Sequence, residues 1–442
     1  MIIKIKGGGM KSYLLIGLLL TATTGTFYTC DPLDKQGSST DTSSSTASTV
    51  NGSTSQALPE EFIVFHSNIN PSDPSKLDYG NITKIKKDGS ELKLVNNLQS
   101  PYLPKLSPDK TKILFVSNAS LNGNASKGPT NLWIMHSDGS EAKPLTHLQV
   151  EESDFKTLYL YPQWSPDGNK ILFISRRNLS GSDTDPLGSA NLWILDADGS
   201  NLKPLTKLKN SEKIDHAAWS PDGGKITFLS QQSLSDNDPI HSNENLWIID
   251  ADGSNLKALT KWNVANIASA AWSPDGKNLA LFTNMNLNGS DSFGKNYNLW
   301  LLNVENGNLS SLTKLKNASI NLIQWLPDNQ WIAYYSNENL ESQDMPLNPS
   351  KLFFNNLWLV KSDGSERKPI TRLLDQNIRF ASTKWSKNGA QIITASTRHL
   401  DGSDKTEIEP KENLWIMNAD GSNPMPLTKY SAKNTSVSDA DF

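Results

Sequence analysis

Six times the chain writes Asn-Leu-Trp, with the asparagine at 131, 191, 245, 298, 356 and 413. The gaps are 60, 54, 53, 58 and 57 residues. A second phrase precedes each copy: "LSPDKTKILFVS" (from Leu106), "WSPDGNKILFIS" (Trp164), "WSPDGGKITFLS" (Trp219), "WSPDGKNLALFT" (Trp272), "WLPDNQWIAYYS" (Trp325) and "WSKNGAQIITAS" (Trp385). A degenerate copy, "NITKIKKDGSELKLV", starts at Asn81. Self-similarity at this period means that each unit is one supersecondary element that buries its apolar faces only against its neighbours. The repeat therefore limits the architecture before any single residue is considered.

Each unit parses into four short strands, A to D. Strand A ends at the tryptophan, and Ser-Pro-Asp-Gly then makes a hairpin turn. Proline presets φ, aspartate bonds local backbone, and glycine accepts positive φ. Strand B, such as Ile171–Ile174, is continuously apolar and is expected to be buried on both faces. Strand C, "NLWIL", joins strand D through Asp-Gly-Ser, a strong hairpin signal. Strand D carries Pro144, Pro204, Pro369 and Pro426. Proline lacks the amide that a central strand must donate, so D is predicted to be the outer edge. Four-stranded antiparallel sheets of this kind describe β-propeller blades, an all-β fold. "EEFIVFHS" (from Glu60) aligns with a strand B that has no strand A, and "VSDADF" places Phe442 at the strand-A aromatic. The two segments together are expected to complete one blade and close the ring. The count is seven blades, or six if the degenerate first unit does not form.

These units resemble the propeller repeats of the TolB family, whose signature is a "WSPDG" turn followed by "DADGS". The resemblance covers about residues 59–442. It implies an envelope protein that works by binding, and no enzyme. TolB itself resembles a six-bladed ring preceded by an α/β domain. This chain has a Ser- and Thr-rich segment in that place, so TolB's partnership with the peptidoglycan-associated lipoprotein is not carried over.

Residues 1–29 read as an export signal: Lys4, Lys6 and Lys11 precede the apolar "YLLIGLLL" (Tyr13–Leu20), a stretch short for a membrane span. Cys30, the single cysteine, follows in "TFYTCD", which resembles a bacterial lipobox with Thr29 where Gly, Ala or Ser is usual. Cys30 is the expected lipidation site; an ordinary cleaved signal is the alternative. Residues 30–58 then form a flexible tether of about 30 Å root-mean-square reach. The expected location is the bacterial cell envelope, facing periplasm or cell surface, with the membrane contacted through the lipid alone.

The formal net charge is −4, with Lys and Arg scattered along the chain. That lacks the basic footprint of a nucleic-acid binder. One cysteine forms no intrachain disulfide, and the six histidines are dispersed, so no metal site or cofactor is read from the sequence. The "DADG" carboxylates (Asp196, Asp198, Asp250, Asp252) lack the longer ligand series of a calcium loop and read as turn formers. No Gly-x-Ser-x-Gly nucleophile elbow occurs, so no serine-hydrolase domain is expected.

What remains is surface. All the length variation lies in the B–C loops, and variable loops on a rigid scaffold are where function concentrates. The loops repeat "NLSGSD", "NLNGSD" and "HLDGSD", which also suits plain turn capping. Residues just after strand B are expected to crowd the channel mouth: His66, Asn118, Arg176, Arg177, Gln231, Asn284, Asn337, Glu338, Arg398 and His399. Such a ring suits an envelope protein, a peptide or a surface glycan as the ligand of a monomer. The rival reading is a carbohydrate-active propeller like the uronate lyases, with His66, Arg177, Arg398 and His399 in its channel.

Overall fold

The computed structural model describes residues 62–442 except 71–72, 96–97, 99–100, 122–126, 150–160, 178, 180–188, 209–213, 232–243, 317–319, 339, 341–355, 374–377, 379, 402–410 and 433. The signal segment, Cys30 and the tether lie outside the described residues.

Twenty-eight strands form seven four-stranded antiparallel sheets, each ordered A-B-C-D. In blade 4 these are Ile214–Trp219, Lys225–Ser230, Asn245–Asp250 and Lys257–Ala258. The A strands of blades 7, 1 and 2 touch in turn, as do those of blades 4, 5 and 6, which places strand A on the inside of the ring around the channel of a propeller. The degenerate unit forms a full blade 1, with Asp73–Lys86 and Lys93–Leu94 as its strands C and D. Its inner strand is Val437–Asp441, which pairs antiparallel with Phe62–Asn70. Six blades are thereby excluded, and the two distant segments meet as the sequence predicts.

Strand B is buried on both faces because each face meets a different neighbour. In blade 3, Ile171 and Phe173 pack toward blade 2, while Leu172 and Ile174 pack toward blade 4. Seven apolar clusters result, each spanning two consecutive blades. One of them joins Ile393 and Leu414 of blade 7 to Ile63, Phe65 and Val437 of blade 1. Each such side chain withdrawn from water contributes about 1.5–3 kcal/mol.

Strand D is only two or three residues long, and its proline lies opposite the strand-C tryptophan: Trp133 with Pro144, Trp193 with Pro204, Trp358 with Pro369, Trp415 with Pro426. The order of each sheet puts this strand at the outer edge, where short, proline-bearing strands resist pairing with other chains.

The hairpins follow the turn chemistry. Ser165 Oγ donates to Asp167 Oδ1 at 2.5 Å, and that oxygen also accepts the Asn169 amide at 3.1 Å. Blade 4 repeats the arrangement with Ser220, Asp222 and Gly224. In the C–D turns Asp198 Oδ1 accepts from the Ser200 amide at 2.8 Å and its hydroxyl at 2.6 Å. The glycine between them is obligatory where blades abut. Gly139 has φ +97°, and a Cβ there would lie 1.8 Å from the Val95 carbonyl oxygen of blade 1.

The Asn of each Asn-Leu-Trp does a further job. Asn245 Oδ1 accepts the Thr260 hydroxyl at 2.9 Å and the Trp262 amide at 2.8 Å, while its Nδ2 donates to the Trp262 carbonyl at 3.0 Å. Thr260 Oγ1 in turn accepts the Leu246 amide. The Asn–Thr bond recurs at a spacing of 15 residues in all six copies. This buried clip ties the start of strand C to the end of strand D and satisfies groups that are costly to bury unpaired.

Candidate functional site

The topology gives the ring two unlike faces. The A–B and C–D turns lie on one, and the B–C loops and D–A connections lie on the other. At the loop face the first half of each inner strand departs from regular β geometry. Pairing of strands A and B shifts register in blades 1, 2, 4, 5, 6 and 7. In five of them a non-glycine residue at the same place is left-handed: Leu103 (φ 53°), His216 (52°), Leu322 (56°), Ser382 (47°) and Asp439 (53°). Each stands three residues before the strand-A anchor. Such bulges re-aim a side chain, and a non-glycine left-handed residue costs about 1–3 kcal/mol.

Except in blade 1, where Asp439 is buried, these positions are the less buried part of the inner strand. In blade 4 Asp215 and His216 are half-buried while Ala217, Ala218 and Trp219 are buried; Ala268 and Ser269 do the same in blade 5. Tyr102 and Leu103 are half-buried in blade 2, as are Tyr161 in blade 3 and Leu322 in blade 6. Tyr102, Leu103, Tyr161 and Leu322 also pack against the inter-blade apolar clusters. Burial lowers the His216 imidazole pKa, against the pull of Asp215. Burial also lowers that of His66, against Asp439. Both rings are therefore neutral acceptor–donor groups near neutral pH.

The sequence-predicted residues sit one or two per blade, toward the end of strand B or just after it. His66 faces the closing strand, its Nδ1 3.4 Å from Ser438 Oγ. Asn284 Oδ1 accepts the Asn266 amide at 2.7 Å, bracing the D–A connection of its own blade. Asn118, Arg176 and Gln231 are half-buried at the ends of their strands. His399 Nδ1 lies 2.8 Å from Asp401 Oδ1. Arg398 lies over the Trp415 ring at 5.8 Å.

Two of the set lie deeper. Arg177 is 4% exposed and Glu338 is fully buried, beside the buried Asn337. Glu338 Oε1 accepts the Tyr334 hydroxyl at 3.2 Å, and its other oxygen is 3.0 Å from Arg367 Nη1. Burial, then the Glu338 charge, raises the Tyr334 pKa well above its ordinary value. The amides of Arg177 and Glu338 donate to Ser175 and Ser336 hydroxyls two residues back, a turn shared with the half-buried Arg398 on Ser396.

One B–C loop is described almost throughout. In "NLNGSD" the asparagines cap turns, Asn288 Oδ1 accepting the Ser290 amide at 2.9 Å. Asp291 instead crosses to the D–A connection and accepts the amides of Asn263, Val264 and Ala265 at 2.6, 3.0 and 2.8 Å. Those three bonds outweigh burial and hold its carboxyl below the usual range.

The inner-strand wall escaped the sequence reading, which looked only after strand B. A signal was available: the residue three before each anchor reads Leu103, Tyr161, His216, Ser269, Leu322, Ser382 and Asp439, a chemistry that changes inside an otherwise repeating phrase. Among the described residues, no group of three His, Cys, Asp or Glu side chains is placed to hold a metal ion.

No protein-family model matches the chain. A 106-residue stretch is 29% identical to the Tol-Pal system protein TolB of Anaeromyxobacter dehalogenans, covering 24% of this chain and 20% of that protein. A 234-residue stretch is 24% identical to Bacillus subtilis YuxL, named an uncharacterized peptidase, covering 53% and 29%. The match thus spans less than a third of the length of either relative. Among solved structures, the β-propeller domain of the Trilobed protease from Pyrococcus furiosus is 13% identical with a TM-score of 0.54, covering 84% of this chain and 93% of that one. Identity this low shows the fold alone. That domain is described as having an open velcro topology, whereas here the closing strand is paired.

Proposed function

We propose that this TolB-like β-propeller is a binding protein of the bacterial cell envelope, gripping another envelope protein or a surface ligand at the loop-face end of its channel. The observation that carries the reading is the bulged inner-strand wall. There the backbone geometry recurs from blade to blade while the side chains do not, which a purely structural role would not require. The predicted ring of Arg176, Gln231, Asn284, Arg398 and His399 surrounds this wall and enlarges the contact surface. Cys30 supplies the lipid that holds the protein at a membrane, with the tether setting its reach.

The test uses the full chain as bait in its native envelope. Capture of a partner is expected to fall with Asp215→Asn, Ser269→Ala and Arg398→Ala and to persist with Asp198→Ala and Asp252→Ala on the turn face. The opposite pattern would move the site to the turn face. Cys30→Ala is expected to shift the protein from the membrane to the soluble fraction, because the whole lipid anchor is then missing and no other hydrophobic anchor survives signal cleavage. Equal membrane retention, with no fatty-acid label on the wild type, would leave an ordinary cleaved signal.

A further inference from the structure

Six blades run from strand A to strand B through a covalent turn of fixed length. Blade 1 does not: Val437–Asp441 meets Phe62–Asn70 through non-covalent pairing alone. Side-chain alternation makes register critical, because a one-residue slip exchanges core and solvent faces. In the other blades the turn sets that register. In blade 1 something else must.

The residue just before the strand-A anchor points to what does. From blade 1 to blade 7 it is Asp441, Lys105, Gln163, Ala218, Ala271, Gln324 and Lys384. Charges occupy the closing blade and its two neighbours, amides come next, and alanines lie across the ring. Away from the seam the contacts are neutral: Gln163 Nε2 donates to the Ala217 carbonyl at 2.5 Å, and Ala218 and Ala271 pack in apolar clusters. At the seam Lys384 Nζ of blade 7 donates to Asp441 Oδ1. Asp441 Oδ2 accepts the Leu106 amide of blade 2 at 3.1 Å, and Lys105 Nζ of blade 2 lies 3.5 Å from Asp439 Oδ1. The start of the strand is tied as well. Asn68 Oδ1 accepts the Ser436 amide at 2.8 Å, and Glu412 Oε2 accepts the Val437 amide at 3.2 Å.

We propose that Lys384–Asp441 and Lys105–Asp439 form a charge clasp that fixes the register of the closing strand and holds the ring shut. The clasp stands in for the missing turn. A slipped strand would set Lys384 against Ala440 or Phe442 and Lys105 against Ser438 or Ala440, two partly buried ammonium groups without a counter-charge, which is costly. The clasp makes this seam the one whose opening responds to ionic conditions.

Amide hydrogen exchange on the full chain tests it, reading the segments Phe62–Asn70 and Val437–Asp441 with Ile267–Trp272 and Asn278–Met285 of blade 5 as internal control. Asp441→Asn is expected to raise exchange at the seam by on the order of tenfold or more, with blade 5 unchanged. The reversed pair Lys384→Asp with Asp441→Lys is expected to recover most of the protection. Moving from about 0.05 M to about 1 M salt is expected to speed exchange at the wild-type seam several-fold, and not in Lys384→Met with Asp441→Leu. If Asp441→Asn does not fold, Lys384→Gln provides the measurement, since glutamine fills this position in blades 3 and 6. Wild-type exchange at the seam in the neutral single variants, or an equal rise in blade 5, overturns the clasp.

Discussion

The two ends of each inner strand obey different rules. At the turn end the same atoms make the same bonds in successive blades: Ser107 with Asp109, Ser165 with Asp167, Ser220 with Asp222, Ser273 with Asp275. A hairpin has one good way to reverse the chain there, so the sequence repeats. At the loop end the bulge persists but its side chain changes from leucine to histidine, serine and aspartate. The backbone geometry serves the ring, while the side chain answers to its own blade: Leu103 and Leu322 pack against apolar clusters, Asp439 meets Lys105, and His216 stands beside Asp215. The variation is then available for recognition, and the left-handed strain is borne at the place where a partner would be met.

Removing an inner strand altogether is the harshest way to break this comparison. Deleting residues 436–442 strips blade 1 of strand A and exposes the cluster built on Ile63, Phe65 and Val437. A loss above about 5 kcal/mol, or failure to fold, is expected from the unpaired amides and the opened core. An unchanged melting temperature would mean that the closing strand holds nothing.

A smaller effect belongs to the clip shared by the blades. Asn245→Ala leaves the Trp262 amide without its acceptor and the Thr260 hydroxyl without an acceptor for its proton. About 2–3 kcal/mol of stability should be lost, and denaturant unfolding reads it directly. A cost near zero would show that the repeat keeps this asparagine for some reason other than the clip.

The turn end carries the pH dependence. Hydrogen bonds from the serine two residues on lower the pKa of Asp88, Asp138, Asp198, Asp252, Asp363 and Asp420. A depressed folded pKa gives stabilisation that is present above the ordinary carboxylate value of about 3.9 and lost as pH falls through the folded value. Thermal stability should therefore fall on acidification in that window. Asp198→Asn with Asp252→Asn should flatten the fall, and an acid profile identical to wild type would argue against these turns. Asp291 on the loop face has the same sign.

The smallest effect on stability is expected at the loop end. His216→Gly accepts φ 52° without strain, so stability should hold or rise by about 1 kcal/mol, while partner capture falls. Stability lost along with capture would make the bulge residue structural, and the contrast between the two ends would collapse.

The sequence by itself determined the units, their strand order, the turn chemistry and the edge role of strand D. Each of these is local: a period, an apolar run, a proline, an Asp-Gly. It also determined that the Phe62 and Val437 segments complete one blade, because each is a recognisable fragment of the same phrase. Only the tertiary structure decided which inner-strand residues take the left-handed conformation. Neither Leu103 nor His216 carries the glycine or asparagine signal of a left-handed position, since the bulge is imposed by pairing with strand B. The depth of Arg177 and Glu338 was equally hidden, because both lie in segments that read as loop, and Glu338 meets Arg367 only once strand D is in place. The charge clasp is the least legible of all. Lys384 and Asp441 are 57 residues apart and Lys105 and Asp439 are 334 apart, and these charges acquire partners only when the seventh blade meets the first.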